Sequence, residues 1–167
     1  GIERAFLVGH NVLLIDQRAS SESEGNTITF GINERHDCLS WIDYVIKSFN
    51  PNMKIMLTGV SMGAATVLMA SNMELPKNVI GILADCGYSS PKEIIMKCTK
   101  DLKLPAKPLY PFIKLGARLF GHFNIDEASP IESVKKTKLP IIFYHGATDD
   151  FVPCYMSEDM SKVCSNK

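Results

Sequence analysis

Residues Lys54 to Ala70 read KIMLTGVSMGAATVLMA: an apolar run, then glycine, serine and glycine at alternate positions, then a second apolar run. An unbroken run of about five apolar residues bounded by turn residues suits a strand buried on both faces of a parallel sheet. The segment from Ala64 to Met73 is apolar nearly all round, which fits a helix packed between the sheet and other elements. The strand therefore passes into the helix through Gly59-Val60-Ser61-Met62-Gly63. So sharp a turn forces the serine into a sparsely populated backbone conformation and lifts its Oγ above the sheet edge. Gly59 and Gly63 are then expected to approach each other closely, where a Cβ would clash. The backbone N–H of Met62 and the helix N-terminus both favour a negative charge developing above that oxygen. A G-x-S-x-G match arises by chance in roughly 5% of chains of this length. The bland alternative, a helix N-cap serine, accounts for Ser61 but not for both glycines.

Three more runs of the same kind flank this one: NVLLID (Asn11–Asp16), VIGILAD (Val79–Asp85) and PIIFYH (Pro140–His145). In NERHDCLSWIDYVIKSF, Cys38, Ile42, Val45 and Phe49, with Leu39 and Ile46 beside them, recur at helical steps, and Asn50-Pro51 ends the pattern. Strands alternating with helices predict an α/β fold with right-handed crossovers. Residues 91–138 break the rhythm with short amphipathic pieces separated by Pro105, Pro108, Pro111, Gly116, Gly121 and Pro130. The segment is too long for one crossover helix and reads as a lid insertion over a pocket.

A serine hydroxyl needs a base to take its proton, and the base needs an acid to hold its tautomer. The acid candidates follow the last strand in YHGATDDFVP, where α/β folds collect their sites: Asp149, with Asp150 as competitor. A polar turn capping the next helix is the alternative there.

Composition narrows the rest. With 167 residues, 46% of them hydrophobic and 22% charged, the chain suits one globular domain with a real core. Eighteen basic and eighteen acidic residues cancel, so the overall charge favours neither nucleic acid nor an anionic membrane. The five cysteines, Cys38, Cys86, Cys98, Cys154 and Cys164, show no metal-ligand spacing and read as reduced, with no metal or cofactor expected. No apolar run approaches the length of a membrane span, and a cytoplasmic location is expected.

Four stretches taken in order resemble the serine hydrolases of the α/β-hydrolase superfamily, in particular bacterial proteins of the serine-aminopeptidase or esterase-like kind. They are DQRASSESEG, GVSMG, DCGYSSP and HGATDDFVP. The resemblance spans nearly the whole chain. It implies Ser61 as nucleophile, Met62 as one oxyanion-hole N–H and Asp149 as triad acid. It implies a small acyl ester or peptide-like substrate and no cofactor. The family order is Ser, Asp, His, yet none of His10, His36, His122 and His145 follows Asp149. The expectation is therefore an internal fragment. It would lack the loop carrying the second oxyanion N–H, ahead of a helix whose tail is Ile2–Val8, and a histidine loop beyond Lys167. Substitution by His145 or His122 is the alternative, although His145 reads more simply as part of the H-G turn. A second departure is Ser20-Ser21, where the family usually has His-Gly or Gly, and serine tolerates the turn poorly. Two functions follow: a serine hydrolase, or a catalytically silent α/β-hydrolase domain that binds a small molecule or protein. The lid's Lys97, Lys100, Lys103, Lys107 and Lys114 favour acidic acyl groups on one reading, and simply face water on the other.

Overall fold

The computed structural model describes Leu7 and residues 9–167. The helix expected over Ile2–Val8 thus lies, apart from Leu7, outside the described residues. Three strands form one parallel sheet in the order β1-β2-β3: β1 (Ile55–Val60), β2 (Val79–Asp85) and β3 (Ile141–Tyr144). Among the described residues six helices of known bounds accompany it: α1 (Glu34–Ser48), α2 (Met62–Ala70), α3 (Pro91–Asp101), α4 (Ala106–Leu119), α5 (Pro130–Val134) and α6 (Tyr155–Val163).

The central helix follows from its composition. Every residue of α2 from Ala64 to Ala70 is buried, because the helix packs on β1 and β2 and is itself covered by α1 and α5. Its Ala64, Val67 and Leu68 meet Leu57, Ile82, Ala84 and Ile141 of the sheet in the main core, closed by Ile42 of α1, Val134 of α5 and Met160 of α6. Fully burying each large aliphatic side chain here contributes about 1.5–3 kcal/mol. Helix α3 starts cleanly: Ser90 accepts a hydrogen bond from the Glu93 N–H at 3.1 Å, and Pro91 occupies the first helical position, where it has no N–H to lose.

Three expectations are corrected. Asn11–Asp16 forms no strand, and its Leu13, Leu14 and Ile15 are 45, 69 and 40% exposed. Apolar sequence does not suffice for a strand without a neighbouring ladder, and among the described residues none adjoins it. Among the described residues one face of the sheet is covered, and on the other Met56, Val60, Ile80, Ile142 and Tyr144 lie exposed. Along α1, Cys38, Ile42 and Ile46 reach the core as expected, but Phe49 lies past the last turn, 66% exposed, edge-on to Tyr44.

The segment 91–138 folds as α3, α4 and α5. Helices α3 and α4 pack together over a separate cluster of Ile32, Ile95, Tyr110, Phe123 and Ile125, whereas α5 belongs to the main core. A buried carboxylate fixes the turn that leads into α1. Glu34 accepts from the Thr29 N–H at 2.7 Å and the Thr29 hydroxyl at 2.5 Å, and the Thr29 Oγ1 in turn accepts from the Asn33 N–H. That loop carries Phe30 and Gly31 at positive φ, and a Cβ on Gly31 would sit 2.5 Å from Met69.

Candidate active site

The strand register assembles the site. Val60 pairs with Asp85, and Asp85 with Tyr144, so the three strands end level. The next residue of each, Ser61, Cys86 and His145, therefore emerges at one edge of the sheet. Backbone hydrogen bonds hold them there: Ser61 N–H donates to Asp85 O at 2.9 Å, and Cys86 N–H to Tyr144 O at 2.8 Å.

Ser61 has φ 52° and ψ −115°, left-handed and strained for a residue with a Cβ. The expected crowding of the two glycines is one-sided. A Cβ on Gly59 would meet Gly63 C at 2.2 Å, Gly63 O at 2.3 Å and Ala64 N at 2.6 Å, whereas one on Gly63 would meet nothing within 4 Å. Gly59 lets the chain fold back over itself; Gly63 merely lies on the other side of the contact. The first helical bond of α2 runs from Ala65 N–H to Ser61 O at 3.0 Å. The N–H groups of Met62, Gly63 and Ala64 precede it and lack intrahelical partners. Met62, expected as an oxyanion donor, is thus the first donor after the serine, at the positive end of α2.

Asp149 lies in the loop after β3. Its Oδ1 accepts from the N–H groups of Val152 and Phe151, both at 2.9 Å, and its Oδ2 is 3.6 Å from His145 Nε2. The Val152 N–H is the main cause holding this carboxyl below the usual range; Phe151, His145 and Lys97 add to it. Asp150, the competing candidate, is exposed and offers its backbone oxygen to Lys97.

His145 is spoken for. Its side chain is 4% exposed, with Nδ1 2.6 Å from Ser157 Oγ and Nε2 2.7 Å from Val152 O. A carbonyl can only accept, so Nε2 carries a proton, while Nδ1 shares a hydrogen with the Ser157 hydroxyl, which also lies 3.4 Å from the Gly87 carbonyl oxygen. The ring ties β3, the acid loop and α6 together, in keeping with a structural part of the H-G turn. His122 is exposed at φ 55°, three residues past the end of α4.

Cys86 is the site residue that sequence reasoning passed over. At φ 45°, it follows β2 as Ser61 follows β1. The register of β1 on β2 sets it beside Ser61. Burial and the Asp85 and Asp149 carboxylates raise its pKa, and the Ser61 N–H opposes them. The stretch DCGYSSP marked the place, but not that its cysteine borders the serine. In the Asp16–Gly25 loop, Ser21 and Ala19 take φ 50° and 57°, the turn that glycine would accept at less cost. The Arg18 guanidinium in that loop binds both oxygens of Asp37 on α1. No helix among the described residues is long and apolar enough to cross a membrane.

Comparison with known proteins agrees with this architecture. No family model matches the chain. The Bacillus subtilis (strain 168) uncharacterized protein YqkD is 28% identical over 152 residues, covering 90% of this chain and 50% of that protein. The Pyrococcus furiosus esterase Pf2001 superposes with a TM-score of 0.73 at 24% identity, over 97% of this chain and 59% of the esterase. The Pyrococcus horikoshii acylaminoacyl peptidase gives 0.56 at 18% identity, over 80% of this chain and 21% of the peptidase. The chain thus spans between half and three fifths of the length of YqkD and of the esterase. At these identities the likeness speaks for architecture, and the parallel sheet flanked by helices, ending in a strained serine, has the α/β-hydrolase fold.

Proposed function

We propose that Ser61 is the nucleophile of a serine hydrolase that cleaves an ester, thioester or amide through an acyl-enzyme. The reading is carried by the strained Ser61 backbone at the strand-to-helix junction, which a plain N-cap has no need of: an N-cap serine sits in extended backbone and accepts from the helix's first N–H groups, whereas Ser61 makes no such bond. In the reaction, Oγ bonds to the substrate carbonyl carbon as an imidazole takes its proton. The carbonyl oxygen becomes an oxyanion facing the Met62 N–H, and the leaving group departs with the proton. Water, deprotonated by the same imidazole, then releases the acid and restores Ser61. Asp149 orients that imidazole, which His145 does not supply, since both of its nitrogens are engaged. Within residues 91–138, α3 and α4 act as the lid over the acyl site, while α5 belongs to the core.

The test is reaction of the protein, as its source produces it, with a fluorophosphonate and with short p-nitrophenyl esters. The expected result is one adduct on Ser61 and turnover that Ser61→Ala abolishes; undiminished turnover in that variant removes Ser61 from the mechanism. The engagement of His145 also favours a second reading, a silent domain that keeps the strained Gly59–Gly63 turn but binds rather than cleaves. Absence of any serine adduct, with the protein folded, selects it.

A further inference from the structure

Helix α4 is apolar on two opposite sides. At 100° per residue, Ala106, Tyr110, Ile113 and Ala117 share the side that packs inward. Phe112, Leu115 and Leu119 share the other and are 71, 53 and 59% exposed, followed by Phe120 at 83%. Along one flank between them runs a basic stripe, Lys107, Lys114 and Arg118. That stripe opens into a cleft of about 510 Å³, lined by Lys92, Tyr110, Lys114, Leu115, Arg118 and Asp126. Its one carboxylate is already occupied: Asp126 accepts from the Tyr110 hydroxyl at 2.7 Å and from Lys114. Lys92 lies 5.4 Å from the centre of the Tyr110 ring, so the cleft holds three cations against one paired anion.

The neutral total hides how charge is distributed. Between Lys97 and Phe120 the chain has six cations and one carboxylate, a net of +5 in a protein whose formal sum is zero. Lys97 pairs with Asp101, but among the described residues Lys100, Lys103 and Lys107 have no carboxylate within 4 Å. An exposed apolar stripe bordered by cations suits a surface that is apolar below and anionic above. A second copy fits poorly, because a two-fold contact through this stripe sets one +5 segment against another.

We propose that this side of the molecule docks on a membrane surface containing anionic phospholipid. Acidic headgroups enter the Lys92–Lys114–Arg118 cleft, and Phe112, Leu115, Leu119 and Phe120 sink to the boundary of headgroups and acyl chains. The docking is independent of hydrolysis at Ser61.

The experiment is flotation of the whole protein with equimolar phosphatidylglycerol–phosphatidylcholine vesicles and with phosphatidylcholine alone. At low salt, at least about tenfold more protein floats with the anionic vesicles, and salt near 0.5 M weakens the difference. Phe112→Asp with Leu119→Asp abolishes flotation, and Lys114→Gln with Arg118→Gln reduces it about tenfold. Phe112, Leu119 and Arg118 face solvent, whereas Lys114 is paired with Asp126, and circular dichroism of each variant checks that it folds. Equal flotation with both vesicle types, or none, overturns the proposal. So does sedimentation showing a dimer that Phe112→Asp dissociates without vesicle binding, which assigns the stripe to self-association. Saturation of the cleft by soluble glycerol phosphate without flotation overturns it too, assigning the cleft to a free phosphate ester.

Discussion

Replacing Gly59 and Gly63 separately by alanine separates two glycines that the motif treats alike. A methyl on Gly59 lands 2.2 Å from Gly63 C and 2.3 Å from Gly63 O, both backbone atoms with no rotamer to yield. The start of α2 has to move, and α2 is buried along its length from Ala64 to Ala70. Overpacking of this kind costs about 3 kcal/mol, at the upper end of its usual range, which for a domain of this size lowers Tm by roughly 6–12 °C. A methyl on Gly63 meets nothing within 4 Å, and the residue lies in the first turn of a helix without positive φ. Gly63→Ala therefore stabilises by about 0.5–1 kcal/mol, through the lower entropy of the unfolded chain. Urea titrations and thermal melts of both variants beside the parent read this directly. Equal losses for the two substitutions, or a greater loss at Gly63, would refute the one-sided contact on which the account of the elbow rests.

Two further outcomes follow from the acid loop. Because the Asp149 carboxyl is held below its usual value near 3.8, its ionised form is the one the fold favours. Its stabilising contribution is complete above that value and is lost as pH falls through it toward the lowered folded value. Asp149→Asn flattens the acid limb of a stability–pH profile between those two values, and under the proposed mechanism lowers ester turnover about 10⁴-fold; an unchanged acid limb contradicts the hydrogen bonding assigned to Asp149. Ser157→Ala removes the hydroxyl 2.6 Å from the buried His145 Nδ1 and costs about 1–2 kcal/mol in urea, whereas a change under 0.5 kcal/mol would show that this bond anchors nothing.

Much of the architecture was legible because periodicity is a local property. The strand read at Val79–Asp85 has those bounds in the structure, and the strands read at 54–60 and 140–145 are shorter by one or two residues. Asn11–Asp16 has equally apolar sequence and no strand, since pairing depends on what lies beside it. Burial of both sheet faces failed for a related reason: a continuous apolar run states that a segment can be covered, not that a covering element is present. In the candidate site, Ser61 is marked by its glycines and Asp149 by its place after β3. Cys86 had no such marker, because its nearness to the serine arises from the register of β1 on β2.

From sequence alone came the alternation of strand and helix, the tight turn at Ser61 and an acid at the end of the last strand. Each depends on residues a few positions apart, where chain geometry permits few choices. Tertiary structure alone decided which glycine bears the contact, that His145 is locked between Ser157 and Val152, and that α4 shows a second apolar side to solvent. These depend on atoms brought together from distant parts of the chain, and α4's two faces are identical in kind until one of them meets Ile95 and Phe123.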